Sequence, residues 1–145
     1  MNITRKRLIE LLNGDLAREY QAIIAYVVYS QVIKGAQYMS IASELEKHAG
    51  EELRHALIIS SRSTTSAAPR RYSPSRSSWP RSPRRFSVST CRTRIDTIRE
   101  YRERVRQCEA LNEFAMAEHI REILKDEQEH AIDLATALGE DVPKI

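Results

Sequence analysis

Glu52-Leu53-Arg54-His55 and Glu127-Gln128-Glu129-His130 decide how this chain reads. Each pairs a carboxylate with an imidazole three residues on, and a helix brings both to one face. One copy alone is ordinarily a surface ion pair or a satisfied core group. Two copies, each on a long helix, suit a bundle core that holds two metal ions through inward-facing Glu and His side chains.

The flanking sequence supports helices. Leu12, Leu16, Glu19, Ile23, Tyr26 and Ser30 recur in steps of three and four, predicting a first helix over about 4–33 that Gly35 breaks. A second is predicted over about 36–60, with Tyr38, Ile41, Leu45, His48, Glu52, His55 and Ile59 on its stripe. A third, clear from Ile95 to Cys108, is bounded at about 84–109. Asn112 is a candidate N-cap for a fourth over about 113–138, whose stripe carries Met116, Ile120, Ile123, Glu127, His130 and Leu134 and which Gly139 closes. Two helices, a long crossover over about 61–83, then two more describe a single all-α domain over 1–145, a four-helix bundle with one long crossover.

Glu19, Glu52, His55, Glu127 and His130 all fall on these apolar stripes. Burying such groups unpaired costs several kcal/mol apiece. A metal removes that cost, since carboxylates and neutral imidazoles are ligands for iron, manganese or zinc. These five residues are the candidate metal and catalytic set. His48, one turn before Glu52, is either a secondary iron position or a satisfied histidine. Tyr26, seven residues after Glu19, is either an electron donor or core packing.

The 145 residues are 41% hydrophobic and 30% charged, ordinary for one helical domain. No apolar run approaches the roughly 20 residues of a membrane span, and the start of the chain has no apolar signal-peptide core. Cys91 and Cys108 form no disulfide framework. A cytoplasmic protein without a membrane partner is expected.

The net charge of +3 is unevenly distributed. Residues 60–94 hold nine Arg, eleven Ser and four of the five Pro, with no Lys, Asp or Glu. Without them the balance is 3 − 9 = −6, so the remainder of the chain is acidic.

Three stretches carry a family resemblance: Leu16-Ala17-Arg18-Glu19-Tyr20, Glu52-Leu53-Arg54-His55-Ala56, and Ile123-Leu124-Lys125-Asp126-Glu127-Gln128-Glu129-His130. With them the chain resembles the ferritin-like superfamily, and within it the bacterioferritins, over everything but residues 60–94. The resemblance implies two iron ions per subunit. Glu52 and Glu127 would bridge them, His55 and His130 would each bind one, and Glu19 would be a terminal ligand. It also implies a second terminal carboxylate 33 residues before Glu127, and that position is Arg94. With Arg94 there, metal at one position is expected to be weakened or absent. Bacterioferritins bind haem through a Met directly after the second helix's Glu, where this chain has Leu53, so no haem is expected. They also carry a fifth helix lining an axis of a 24-subunit cage. Here the sequence stops at Ile145, soon after Gly139 and Pro143, and a haem-free bacterioferritin-like or Dps-like homo-oligomer is expected.

Residues 60–94 read literally as an Arg/Ser-rich linker of the kind that binds nucleic-acid phosphates. They also read as a shifted coding frame. If each true codon takes the third base of one codon and two bases of the next, residues 83–95 permit Glu-Glu-Val-Leu-Arg-Phe-Asp-Leu-(Ser or Gln)-Asn-Glu-Asn. That resembles the start of the third helix in bacterioferritins. Its last Glu spans Thr93 and Arg94, where the missing carboxylate belongs.

The expected function is therefore a ferroxidase that stores and detoxifies iron, oxidising Fe(II) with O2 or H2O2. A Dps-like, DNA-protecting protein that consumes peroxide is one alternative, and a di-iron peroxidase without storage is another. An Arg/Ser-type RNA-binding protein leaves both Glu-x-x-His pairs unexplained. Peptide mass mapping checks the frame: masses of the shifted string are expected over residues 60–95, and recovery of the tryptic peptide Phe86–Arg92 contradicts it.

Overall fold

The computed structural model describes residues 3–63 and 83–141, and in that range the chain is helical, without strands. Helix α1 spans Arg5–Val32, α2 Met39–Ser63, α3 Pro83–Ala110 and α4 Phe114–Leu138. The bundle expected from the stripes is the one observed. Almost all of the expected crossover lies outside the described residues.

Local chemistry sets the helix ends. The Thr4 hydroxyl accepts from the Arg7 backbone N–H at 3.2 Å and caps α1. Gly35, at φ 119°, turns the chain into a single 3-10 turn over Ala36–Tyr38, so α2 starts at Met39, later than its periodicity suggests. Pro83 opens α3, where a missing N–H costs nothing. Asn112 is not the N-cap of α4, which is Glu113. It adopts φ 58° inside the α3–α4 turn, a left-handed conformation that Asn tolerates. Gly139 ends α4 at φ 66°, with its N–H on Thr136 O at 3.1 Å and that of Glu140 on Ala135 O at 3.0 Å.

Helix α1 packs on α2 and α3 on α4, and the two hairpins meet mainly through α2 and α4. Their shared interior has three layers. One apolar layer contains Leu8, Leu12, Ile59, Cys108, Met116, Ile120 and Ile123. A second, farther along the bundle, contains Tyr26, Tyr29, Ile41, Leu45, Ala49 and Leu134. On α1, α2 and α4 the sequence between them carries Glu19, Glu52, His55, Glu127 and His130, all buried. The polar layer is thus sealed at both ends by hydrophobic packing. No helix among the described residues is long and apolar enough to cross a membrane.

Candidate metal centre

Four helices supply the polar layer: Glu19 from α1, Glu52 and His55 from α2, Arg94 from α3, and Glu127 and His130 from α4. All five residues singled out in the sequence are brought together. His55 Nδ1 lies 3.3 Å from Glu19 Oε2, 3.5 Å from Glu52 Oε2 and 3.8 Å from Glu127 Oε1. His130 Nδ1 lies 3.4 Å from Glu52 Oε1.

Each imidazole is aimed by a carboxylate on the opposite helix. Asp126 Oδ2 on α4 accepts from His55 Nε2 at 3.1 Å, and Glu51 Oε2 on α2 accepts from His130 Nε2 at 2.7 Å. Both contacts direct the Nε2–H outward to a carboxylate and turn Nδ1 inward, as a carboxylate behind a metal-binding histidine does. Sequence reasoning passed over Glu51 and Asp126. Their signal is an acidic residue directly before the Glu of each Glu-x-x-His pair. Tyr101 was also passed over: its hydroxyl donates to Glu19 Oε1. Beneath it, Arg104 binds Asp15 through Nε at 2.7 Å and Nη2 at 3.1 Å, a buried bidentate pair.

Arg94 is fully inside the centre. Its guanidinium donates to Glu52 Oε1 and Glu127 Oε2, and its Nε donates to the Tyr26 hydroxyl at 2.7 Å. Tyr26 is therefore a neighbour of the centre through Arg94.

These charges displace one another's protonation. Burial, reinforced by Glu52, raises Glu19 well above the usual carboxylate range. Burial would raise Glu52 too, but the Arg94 charge, with Glu19, His130 and His55 close by, outweighs it and holds Glu52 low. Burial raises Glu127 despite Arg94. Burial opposes charge on His55, yet Glu19 and Glu52 carry its pKa up to about 10. His48 goes the other way: burial and the charge of His130 push it down to about 4.

The donor atoms show what fits. Glu19 Oε2, Glu52 Oε2, His55 Nδ1 and Glu127 Oε1 are buried, have no hydrogen-bond partner, and all lie within 4.8 Å of one another. Three hard oxygens and one imidazole nitrogen suit one Fe(II), Mn(II) or Zn(II) ion. The opposite oxygens of Glu52 and Glu127 already accept from Arg94, and His130 Nδ1 is left without a hydrogen bond beside them. A second ion there would meet a positive charge. Unit charges 4 Å apart repel by about 4 kcal/mol at an effective dielectric of about 20, and a divalent ion doubles that. The residues present fit one ion well and a second poorly.

Comparison with known proteins identifies the family and the fold. Residues 9–142 match the ferritin-like domain. The chain belongs to the ferritin-like family. Among solved structures it is similar to a ferritin-like diiron-carboxylate protein from Bacillus anthracis, at 27% identity and TM-score 0.85 over 94% of this chain and 99% of that one. It shares its fold with a mycobacterial bacterioferritin, at 21% identity and TM-score 0.81 over 96% of this chain and 86% of that one. The Mycobacterium tuberculosis bacterioferritin BfrA gives 21% identity and TM-score 0.81, over 96% and 87%. No curated protein sequence matches the chain.

Replacing the obstructing cation tests the asymmetry. Arg94→Glu is expected to add one tightly bound divalent ion per chain in an anaerobic Co(II) titration. Unchanged stoichiometry in a folded variant contradicts it.

Proposed function

We propose that the protein binds Fe(II) in this buried cluster and oxidises it with O2 or H2O2, as a ferroxidase serving iron storage and detoxification. One observation carries the reading: four buried donor atoms from three helices converge without hydrogen-bond partners. Buried polar atoms are nearly always satisfied, and an ion is the simplest common partner for an imidazole lone pair and three carboxylate oxygens.

Each residue has a part in that reaction. Glu19, Glu52 and Glu127 supply hard oxygens, which hold Fe(III) more tightly than Fe(II) and so favour electron loss. His55 is a ligand, with Asp126 keeping its Nε2 protonated and its ring oriented; His130, oriented in the same way by Glu51, would bind a second ion. Tyr101 donates to Glu19 and fixes the rotamer of that carboxylate. The apolar layers on either side keep bulk water away, which strengthens every electrostatic contact inside. The family's two-iron form would need a carboxylate at position 94, the residue that the shifted frame would supply.

Assembly and storage belong to the same proposal. Tyr20, Ile24, Val27, Val28 and Val32 on α1 and Leu53 and Leu57 on α2 are large, apolar and exposed. An apolar face of that extent supports association with further copies. Iron storage within such an assembly, in the cytoplasm, is part of this proposal. A di-iron peroxidase would use the same centre but accumulate no mineral.

Iron oxidation tests the reading. Fe(II) added with O2 or H2O2 is expected to become protein-bound Fe(III) faster than in buffer. Glu52→Gln is expected to lower the initial rate at least tenfold, and Asp126→Asn to weaken Fe(II) binding by about 10–100-fold. A parent protein no faster than buffer, with either oxidant, overturns the proposal.

A further inference from the structure

One turn from the buried centre, His48 has no role in the function proposed above. Its side chain is fully buried on α2, yet neither ring nitrogen has a hydrogen-bond partner. Desolvating both nitrogens without compensation costs on the order of 1–3 kcal/mol for each group. The ring packs against His130, with centroids 4.0 Å apart, and meets Tyr26 edge-on at 5.9 Å. Packing explains where the ring lies but leaves its nitrogens unsatisfied.

Two carboxylates approach the same nitrogen. His48 Nε2 lies 3.5 Å from Asp133 Oδ2 on α4 and 3.8 Å from Glu44 Oε2, one turn earlier on α2. Good N–H···O hydrogen bonds measure about 2.7–3.2 Å, so both approaches are long. They are near the separation of two ligands on one ion, about 3–3.4 Å for bonds of about 2.1 Å. The three donor atoms all lie within 4.8 Å of one another, and Glu44 Oε2 is itself buried with no hydrogen-bond partner. Closing to bonding distance needs shifts of only a few tenths of an ångström.

We propose that Glu44, His48 and Asp133 form a separate mononuclear site for a divalent cation of the Fe(II), Mn(II) or Zn(II) kind. One imidazole and two carboxylates suit such borderline ions. Unlike the central cluster, this site is half open. The Glu44 and Asp133 side chains are 45% and 41% exposed, which leaves the outer coordination positions to water. An ion held there exchanges with solvent more readily than one sealed between the apolar layers. Neither Arg94 nor any residue from 60 to 94 contributes a ligand, so the site does not depend on how that stretch is read.

Metal counting with Co(II) as probe tests it, by equilibrium dialysis of the full chain under anaerobic conditions. Glu44→Gln/Asp133→Asn changes two half-exposed side chains outside the central cluster and is expected to fold as the parent does by circular dichroism. It is expected to bind one Co(II) fewer per chain. His48→Ala is expected to lose the same ion. Glu19→Gln/His55→Ala, which damages the central cluster, is expected to retain it. A Glu44→Gln/Asp133→Asn protein that binds as many ions as the parent, at the same affinity, overturns the proposal. So does loss of the ion in Glu19→Gln/His55→Ala, which would assign it to the centre. A central cluster that fails to bind while this site persists would count against the ferroxidase reading alone.

Discussion

Three carboxylates are buried in one layer of a helical bundle, and the rest of the structure answers to that. Glu19, Glu52 and Glu127 are almost completely excluded from solvent, and donor oxygens from all three lie within 4.8 Å of one another. Unit charges that close repel by about 4 kcal/mol even at an effective dielectric of 20 or so. The fold tolerates this only if positive charge or protons accompany them. The side chains of the layer supply several such devices at once. Arg94 bridges Glu52 and Glu127, His55 is held protonated by Glu19 and Glu52, and Glu19 itself is pushed toward its neutral form. Each device is what a cation would replace. Removing one partner from such a set is costlier than forming the set is favourable, because it strands a buried charge.

The architecture around the layer follows from the need to place these groups accurately. Apolar clusters on both sides fix the helix positions, so side chains on three helices meet within hydrogen-bonding distances. The two histidines are oriented by a crossed pair of carboxylates, Asp126 of α4 on His55 of α2 and Glu51 of α2 on His130 of α4. This reciprocal arrangement couples α2 to α4 across the bundle interface. Rigid elements hold a metal site more accurately than loops do, and every candidate ligand here sits inside a long helix.

Much of this was legible from spacing alone. The three-and-four stripes locate the helices, and the carboxylates and imidazoles interrupting them locate the layer, because period fixes which face is buried. Position 94 was identified by counting back from Glu127, and its side chain lies in the centre. Contacts across helices were not legible. Periodicity puts Tyr101 on no obvious polar stripe, yet its hydroxyl reaches Glu19, 82 residues away. Glu51 and Asp126 look like surface acids on their own helices and acquire a role only when the partner helix is in place. Likewise, nothing in the pattern around His48 separates a satisfied histidine from one with two unpaired nitrogens. Asn112 shows the same limit locally: Asn suits both an N-cap and a left-handed turn, and the turn after α3 decides.

Everything turns on whether the cluster is a cation site or a self-compensated hydrogen-bond network. Anomalous X-ray scattering at the iron edge, from crystals grown anaerobically with Fe(II), measures that directly. A peak within bonding distance of Glu19 Oε2, Glu52 Oε2, His55 Nδ1 and Glu127 Oε1 is the result expected. Iron-soaked crystals with no peak there, and with those four atoms hydrogen-bonded to one another, would contradict it.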